Sequence, residues 1–308
     1  MARRRRGQPV HGWVIVDKPS GLTSTQVVGR VRRIFDAQKA GHGGTLDPLA
    51  TGVLPIALGE ATKTVSYVMD GAKRYRFQVR WGQSTATDDA EGEVLEARAE
   101  RPDEAAIRAA LPAFVGDIEQ VPPAYSAIKI DGERAYDLAR DGETVEMPTR
   151  RIHVERFELV SIDDPDHATF EVDCGKGSYM RALARDLGAA LGCLGHVAAL
   201  RRIACGGFTE ERAISLESLE SLGHSPAALE HLLPVEAGLD GIPALTLSEM
   251  EAGRLRSGQT VSMLARAKRE RAMSLTQGCV AYALSEGKPV AIVRYEAGDL
   301  RPVRVLNL

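Results

Sequence analysis

The sequence has no apolar run approaching the roughly 18 residues that a membrane-crossing helix requires, so no such helix is predicted. Cysteine is scarce. The four, at positions 174, 193, 205 and 279, form no CxxC pair and have no histidine at zinc-finger spacing, which argues against a disulfide framework and a structural metal. They read as small buried apolar residues. A Gly-x-x-x-x-Gly-Lys-Ser/Thr phosphate loop is missing, and no Gly-x-Gly-x-x-Gly follows a strand. No secretory signal is expected either, since the basic start Met1 to Arg6 leads into Gln8, Pro9 and His11 instead of an apolar core. The expectation is a soluble cytoplasmic protein. What is present, 44% hydrophobic residues in 308, fills a sizeable core and allows two domains.

A net charge of −3 conceals an uneven distribution. Residues 1–82 carry +9, residues 83–240 carry −16 and residues 241–308 carry +4. Two basic regions around an acidic one suit an anionic ligand held by particular surfaces, because binding responds to the local field. Arg3 to Arg6 read either as a nucleic-acid arm or as a solubilising tail, and residues 1–10 are expected to be a disordered basic arm.

Pattern along the chain predicts an α+β fold. Trp13 to Asp17 reads as a strand, and a helix carrying Val27, Val28, Val31, Ile34 and Phe35 follows, capped by Ser24 or Thr25. Residues 41–55 read as a Gly/Pro-rich loop, and Glu60 to Met69 as helical. Lys73 to Trp81 alternates apolar and basic residues with the period of a half-buried strand. A helix is predicted at Asp103 to Leu111, strands at Ile152 to Ile162 and Thr169 to Cys174, and a helix at Tyr179 to Leu191. Beyond a break at Gly238 to Pro243, a helix near Ser248 to Leu255 and strands near 280–284, 290–295 and 303–306 suggest a small β domain.

The chemistry-bearing stretch is Gly41 to Gly52, where four glycines open the backbone to a ligand and Asp47 immediately precedes Pro48. On spacing alone the better reading of Asp47 is a helix N-cap, with Pro48 at the first helical position. Four motifs in order, Asp17-Lys18-Pro19-x-Gly21-x-Thr23-Ser24, Gly41-His42-x-Gly44-Thr45-Leu46-Asp47-Pro48-x-Ala50-x-Gly52, Lys73-Arg74-Tyr75 and Gly177-Ser178-Tyr179-x-Arg181, make the chain resemble the TruB family of bacterial tRNA pseudouridine-55 synthases. The likeness runs from Trp13 to about Phe208. Gly43 departs from it, standing where the family usually has Thr.

The resemblance implies a mixed, largely antiparallel central sheet flanked by helices over residues 11–240, with an RNA-gripping thumb at 124–151 and a PUA-like RNA-binding β domain at 241–308. It implies isomerisation of a uridine in the tRNA T-stem loop, without cofactor or metal, by a protein needing no obligate protein partner and acting as a monomer. Asp47 would be the catalytic carboxylate, Tyr75 would lie against the base, and Arg181 would hold Asp47 ionised by a two-point contact. Tyr179 and Leu200 would line the uracil pocket and His42 would fill the space left by the extruded base. Lys18, Lys63 and Arg30 would be phosphate contacts. Two alternatives remain: the same chemistry on ribosomal or guide-bound RNA, and a non-catalytic RNA-binding module in which Asp47 caps a helix.

Overall fold

A computed structural model describes residues 7–126, 128–130, 132–140, 146–265, 272–273 and 275–308. A ten-stranded sheet forms the frame. Its backbone order runs Ile214–Ser215, Gly12–Lys18, Thr51–Leu58, Gly195–Cys205, Lys73–Trp81, His167–Cys174, Arg150–Asp164 and Gly116–Gln120. Ala40–His42 adds to Thr51–Leu58, and Phe208–Thr209 to Gly195–Cys205. Two pairings are parallel, Gly12–Lys18 with Ile214–Ser215 and Thr51–Leu58 with Gly195–Cys205; the rest are antiparallel.

Period-two alternation sends the first strand into two cores. Val14 and Val16 join the main core with the helix Ser24–Ile34, whereas Trp13 and Ile15 meet Val53, Val68, Phe208 and Leu306 on the opposite face. The helix N-cap is Thr23, one residue before the expected cap, because Thr23 and Gln26 close a reciprocal capping box. The helix Met180–Ala190 buries Leu183 and Leu187 against the sheet.

Several sequence expectations need correction. Both ends of the predicted 41–55 loop are strand: Ala40–His42 pairs with Thr51–Leu58, which runs through Pro55 with all but Thr51 buried. A proline is tolerated because the Pro55 carbonyl side of the strand faces the 43–50 loop, where it accepts from Gly43 N–H at 2.8 Å and no ladder donor is required. The expected helix at Glu60 to Met69 is two pieces, a 3-10 turn at Gly59–Lys63 and a helix at Val65–Asp70. Gly195–Cys205, which the sequence reading did not assign, is an interior strand whose alternation is broken by register shifts at Val197/Ala199 and Arg202/Ala204. In the expected N-terminal arm, Arg3 to Arg6 lie outside the described residues, but residues 7–10 are docked: Gln8 bridges to Ala37 and Val10 packs on the main core.

From Pro122 and Pro123 the chain enters a short excursion, a hairpin of Lys129–Ile130 with Glu133–Arg134 followed by the helix Ala135–Arg140. Residues 127, 131 and 141–145 of the predicted thumb lie outside the described residues. A second, five-stranded sheet begins at Ala244–Thr246 and contains Val280–Ser285, Lys288–Glu296, Asp299–Val305 and Val261–Ser262 in that order. It carries its own apolar core with the helix Glu249–Arg256. Among the described residues no helix is long and apolar enough to cross a membrane.

Candidate active site

The Gly43 to Ala50 loop emerges between two strands and is held from every side. Ser24, buried at the start of its helix, accepts from Leu46 N–H at 2.8 Å and donates to Leu46 O at 3.1 Å. Lys18 donates to the carbonyls of Pro19 and Pro48 at 2.8 and 3.0 Å, and Gly21 N–H donates to Pro48 O. Arg202 lies underneath, almost wholly buried. Its Nε donates to Val53 O at 2.8 Å, Nη2 to Gly44 O at 3.0 Å and Nη1 to Thr45 O at 3.3 Å. These bonds satisfy carbonyls of an irregular segment that would otherwise be buried unpaired, and so fix where the next side chain points.

That side chain is Asp47, on a cavity of about 310 Å³ whose lining also includes Tyr75, Tyr179, Arg181 and Leu200. Five of the nine sequence-predicted residues are thus brought together. His42 stands outside the lining, on the short strand before the loop, where its Nδ1 accepts from Gly44 N–H at 3.4 Å. Burial and the Arg202 charge push its pKa down, which favours a neutral ring.

The proposed phosphate contacts are otherwise employed. Lys18 has 0% exposure, and burial lowers its pKa to about 8 against the pull of Asp47; it braces the loop from inside. Lys63 is bound to Glu60 at 2.6 Å and to Val305 O at 2.7 Å, a link between the two sheets' units. Arg30 pairs with Glu220 at 3.2 Å on the surface.

Arg181 meets Asp47 differently from the two-point contact expected. Only Nε faces the carboxylate, 3.0 Å from Oδ2, with its N–H off the line of a hydrogen bond. Both Nη groups are spent on backbone, Nη1 on Thr87 O at 3.0 Å and Nη2 on Tyr125 O at 2.9 Å. A second carboxylate, Asp89, lies 3.7 Å from Nη1 and is itself buried, fixed by Glu91 N–H at 3.0 Å and by Thr87 Oγ1. Sequence reasoning missed Asp89 and Arg202. The compressed loop of small polar residues at Thr85 to Gly92, with two adjacent acids, was the signal available for the first; nothing in periodicity marks the second.

Burial pushes the Asp47 carboxyl up from the usual carboxylate range, with Arg181 pulling it down and Asp89 adding to the rise. About a third of its side-chain surface (34%) still opens into the cavity, so water tempers that rise until a ligand fills the site. Burial also pushes the Tyr75 phenol up to about 12, so it stays protonated through the neutral range. Tyr179 caps the helix Met180–Ala190 and is clamped by Gln120, whose Oε1 accepts from its N–H at 2.8 Å while Nε2 donates to its carbonyl at 3.1 Å. Leu200 is buried on the strand Gly195–Cys205, paired across to Phe77. At Gly43 a Cβ would stand 2.9 Å from Val68 Cγ1 and 3.5 Å from the Trp13 ring, so neighbours already occupy the room a Thr side chain would need.

A family model described as "TruB family pseudouridylate synthase (N terminal domain)" matches residues 32–180, and one described as "tRNA pseudouridylate synthase B C-terminal domain" matches residues 181–240. Among curated proteins, "tRNA pseudouridine synthase B" of Rhodospirillum rubrum is 56% identical over 308 residues, covering all of both chains. The protein of that name from Caulobacter vibrioides is 52% identical over 309 residues, again covering all of both. Among solved structures, a chain of "Structure of H/ACA RNP bound to a substrate RNA containing 2'-deoxyuridine" shares the fold with a TM-score of 0.74 at 22% identity, covering 100% of this chain and 92% of that one.

Proposed function

Because the chain belongs to the TruB family of pseudouridylate synthases, we propose that it isomerises a uridine in the T-stem loop of tRNA to pseudouridine, with Asp47 as the catalytic carboxylate. The reaction breaks the N1–C1′ bond, turns the uracil and joins C5 to C1′, while C5 loses a proton and N1 gains one. Atoms and electrons balance within the substrate, so no oxidant enters. Attack on C1′, addition to C6 and removal of the 2′ proton all require an ionised carboxylate at the sugar or base edge.

The observation that carries this reading is Asp47 held beside Arg181 on a cavity flanked by two tyrosines. A helix cap has no use for a buried guanidinium and a second buried acid. At about 310 Å³ the cavity is at the small end of ligand sites and suits one extruded base. Extrusion costs a few kcal/mol, which stacking on Tyr75 and Tyr179 and contact with Leu200 offset. His42, neutral and beside the loop, would occupy the vacated stack. The excursion at 124–151 and the second sheet are the proposed grips on the tRNA. The basic residues of the sequence's two ends make affinity fall steeply with salt.

Asp47→Asn tests the assignment, for it keeps size and removes charge. Single-turnover formation of pseudouridine in a tRNA transcript is expected to fall to background while tRNA affinity stays within about twofold. Activity retained by Asn, with wild-type contamination excluded by mass spectrometry, overturns it.

A further inference from the structure

Arg181 links Asp47 to the excursion that follows Pro122 and Pro123, whose Ser126 lines the same cavity. Its Nη2 donates to Tyr125 O at 2.9 Å, and Tyr125 begins the excursion that carries the hairpin and the helix Ala135–Arg140. That helix folds back on the same point. Tyr136 N–H donates to Ser126 O at 3.0 Å, and the Tyr136 ring meets the Tyr125 ring edge to face, with centroids 5.9 Å apart at 78°. Pro122 and Pro123, both buried, stiffen the approach. Tyr136 itself is 42% exposed, on the solvent side of this arrangement.

We propose that Tyr136 is a positioning residue for the reaction: by holding Tyr125 and its carbonyl it sets the orientation of Arg181, and through Arg181 the charge state of Asp47. The inference rests on Asp47 being the catalytic group. Its physical basis is that the Arg181 Nε–H stands off the Asp47 carboxylate line at 3.0 Å, so a small rotation of the guanidinium makes or breaks a charge-assisted hydrogen bond. Thr87 O holds one Nη group from a separate loop, which leaves the Tyr125 side as the adjustable anchor. An RNA engaging the excursion would therefore adjust the carboxylate at the same moment as it is gripped.

Asp47 is faced by Arg181 and Lys18, which favour its ionised form, by Asp89 and Glu91, which oppose it, and by the phenols of Tyr75 and Tyr179. Loosening Arg181 alone leaves the opposing acids in place, so the acid limb of the rate must move upward in pH.

The experiment measures single-turnover pseudouridine formation at saturating enzyme against pH, together with tRNA affinity, for the full-length wild type, Tyr136→Ala and Tyr136→Phe. Tyr136→Ala is expected to slow the reaction about tenfold at neutral pH and to shift its acid limb upward. Tyr136→Phe, which keeps the ring contact and the backbone bond, is expected to restore both. Weaker binding with an unmoved acid limb and an unchanged saturating rate would make Tyr136 an RNA contact only and overturn the proposal. So would a Phe variant as defective as Ala. An inactive wild type would instead count against the catalytic reading on which the proposal rests.

Discussion

A lysine in a sequence motif shared with an RNA-modifying family reads naturally as a substrate contact, yet Lys18 faces inward. Its ammonium is spent on Pro19 and Pro48 carbonyls beneath the loop that presents Asp47. Lys18→Met is therefore expected to lower the chemical rate about tenfold, by loosening the loop, while leaving tRNA affinity unchanged. A phosphate contact would show the reverse. The same burial carries a thermodynamic signature: the unfolded lysine holds its proton up to 10.5 and the folded one releases it at about 8. Between those values the unfolded state binds more protons, so this group makes stability rise as pH climbs from about 8 toward 10.5. Urea midpoints measured across that window should rise less in Lys18→Met; an identical slope would show that Lys18 does not titrate from a buried site.

Elements with a clear period were legible in the sequence, and those whose reason lies in a neighbour were not. Lys73–Trp81 follows from its own alternation, and the helix predicted at Asp103 to Leu111 is present as Glu104–Ala110, with Asp103 as its N-cap. Gly195–Cys205 escaped because two bulges interrupt its period and its place between Thr51–Leu58 and Lys73–Trp81 is a tertiary fact. For the site, motif likeness located Asp47, Tyr75, Tyr179, Arg181 and Leu200. It says nothing of direction: the ammonium groups of Lys18 and Lys63 turn to protein carbonyls, and Arg181 meets Asp47 through Nε.

Thr51–Leu58 shows how strictly one position is set. Gly52 has φ of +98° and a Cβ there would lie 2.2 Å from Arg202 O, so only glycine lets the Arg202 backbone come alongside and its guanidinium reach under the loop. Gly52→Ala is expected to cost about 3 kcal/mol of stability and most of the activity. A thermal midpoint within 2 degrees or so of wild type would show that the close approach can relax.

At the scale of the molecule, the second sheet is fastened to the first by the end of its last strand and the residues that follow it. Leu306 enters the core formed by Trp13, Ile15 and Phe208, Asn307 N–H donates to Glu60 at 2.8 Å, and Lys63 reaches Val305 O. The two units should thus unfold in one calorimetric transition. Leu306→Ala, removing about 2 kcal/mol of buried contact, is expected to split it into two; two transitions already present in the wild type would show that this seam is weak.

That seam has a consequence for how the protein is made. Trp13 leaves the ribosome early, yet the apolar cluster around it lacks Leu306 until nearly three hundred more residues have been synthesised. Phe208 and Val235, members of the same cluster, also arrive late. Folding during translation therefore cannot finish from the amino end forward as it can in chains whose domains close one after another. The opening strand must wait half-covered, its Trp13 face open until those later residues arrive.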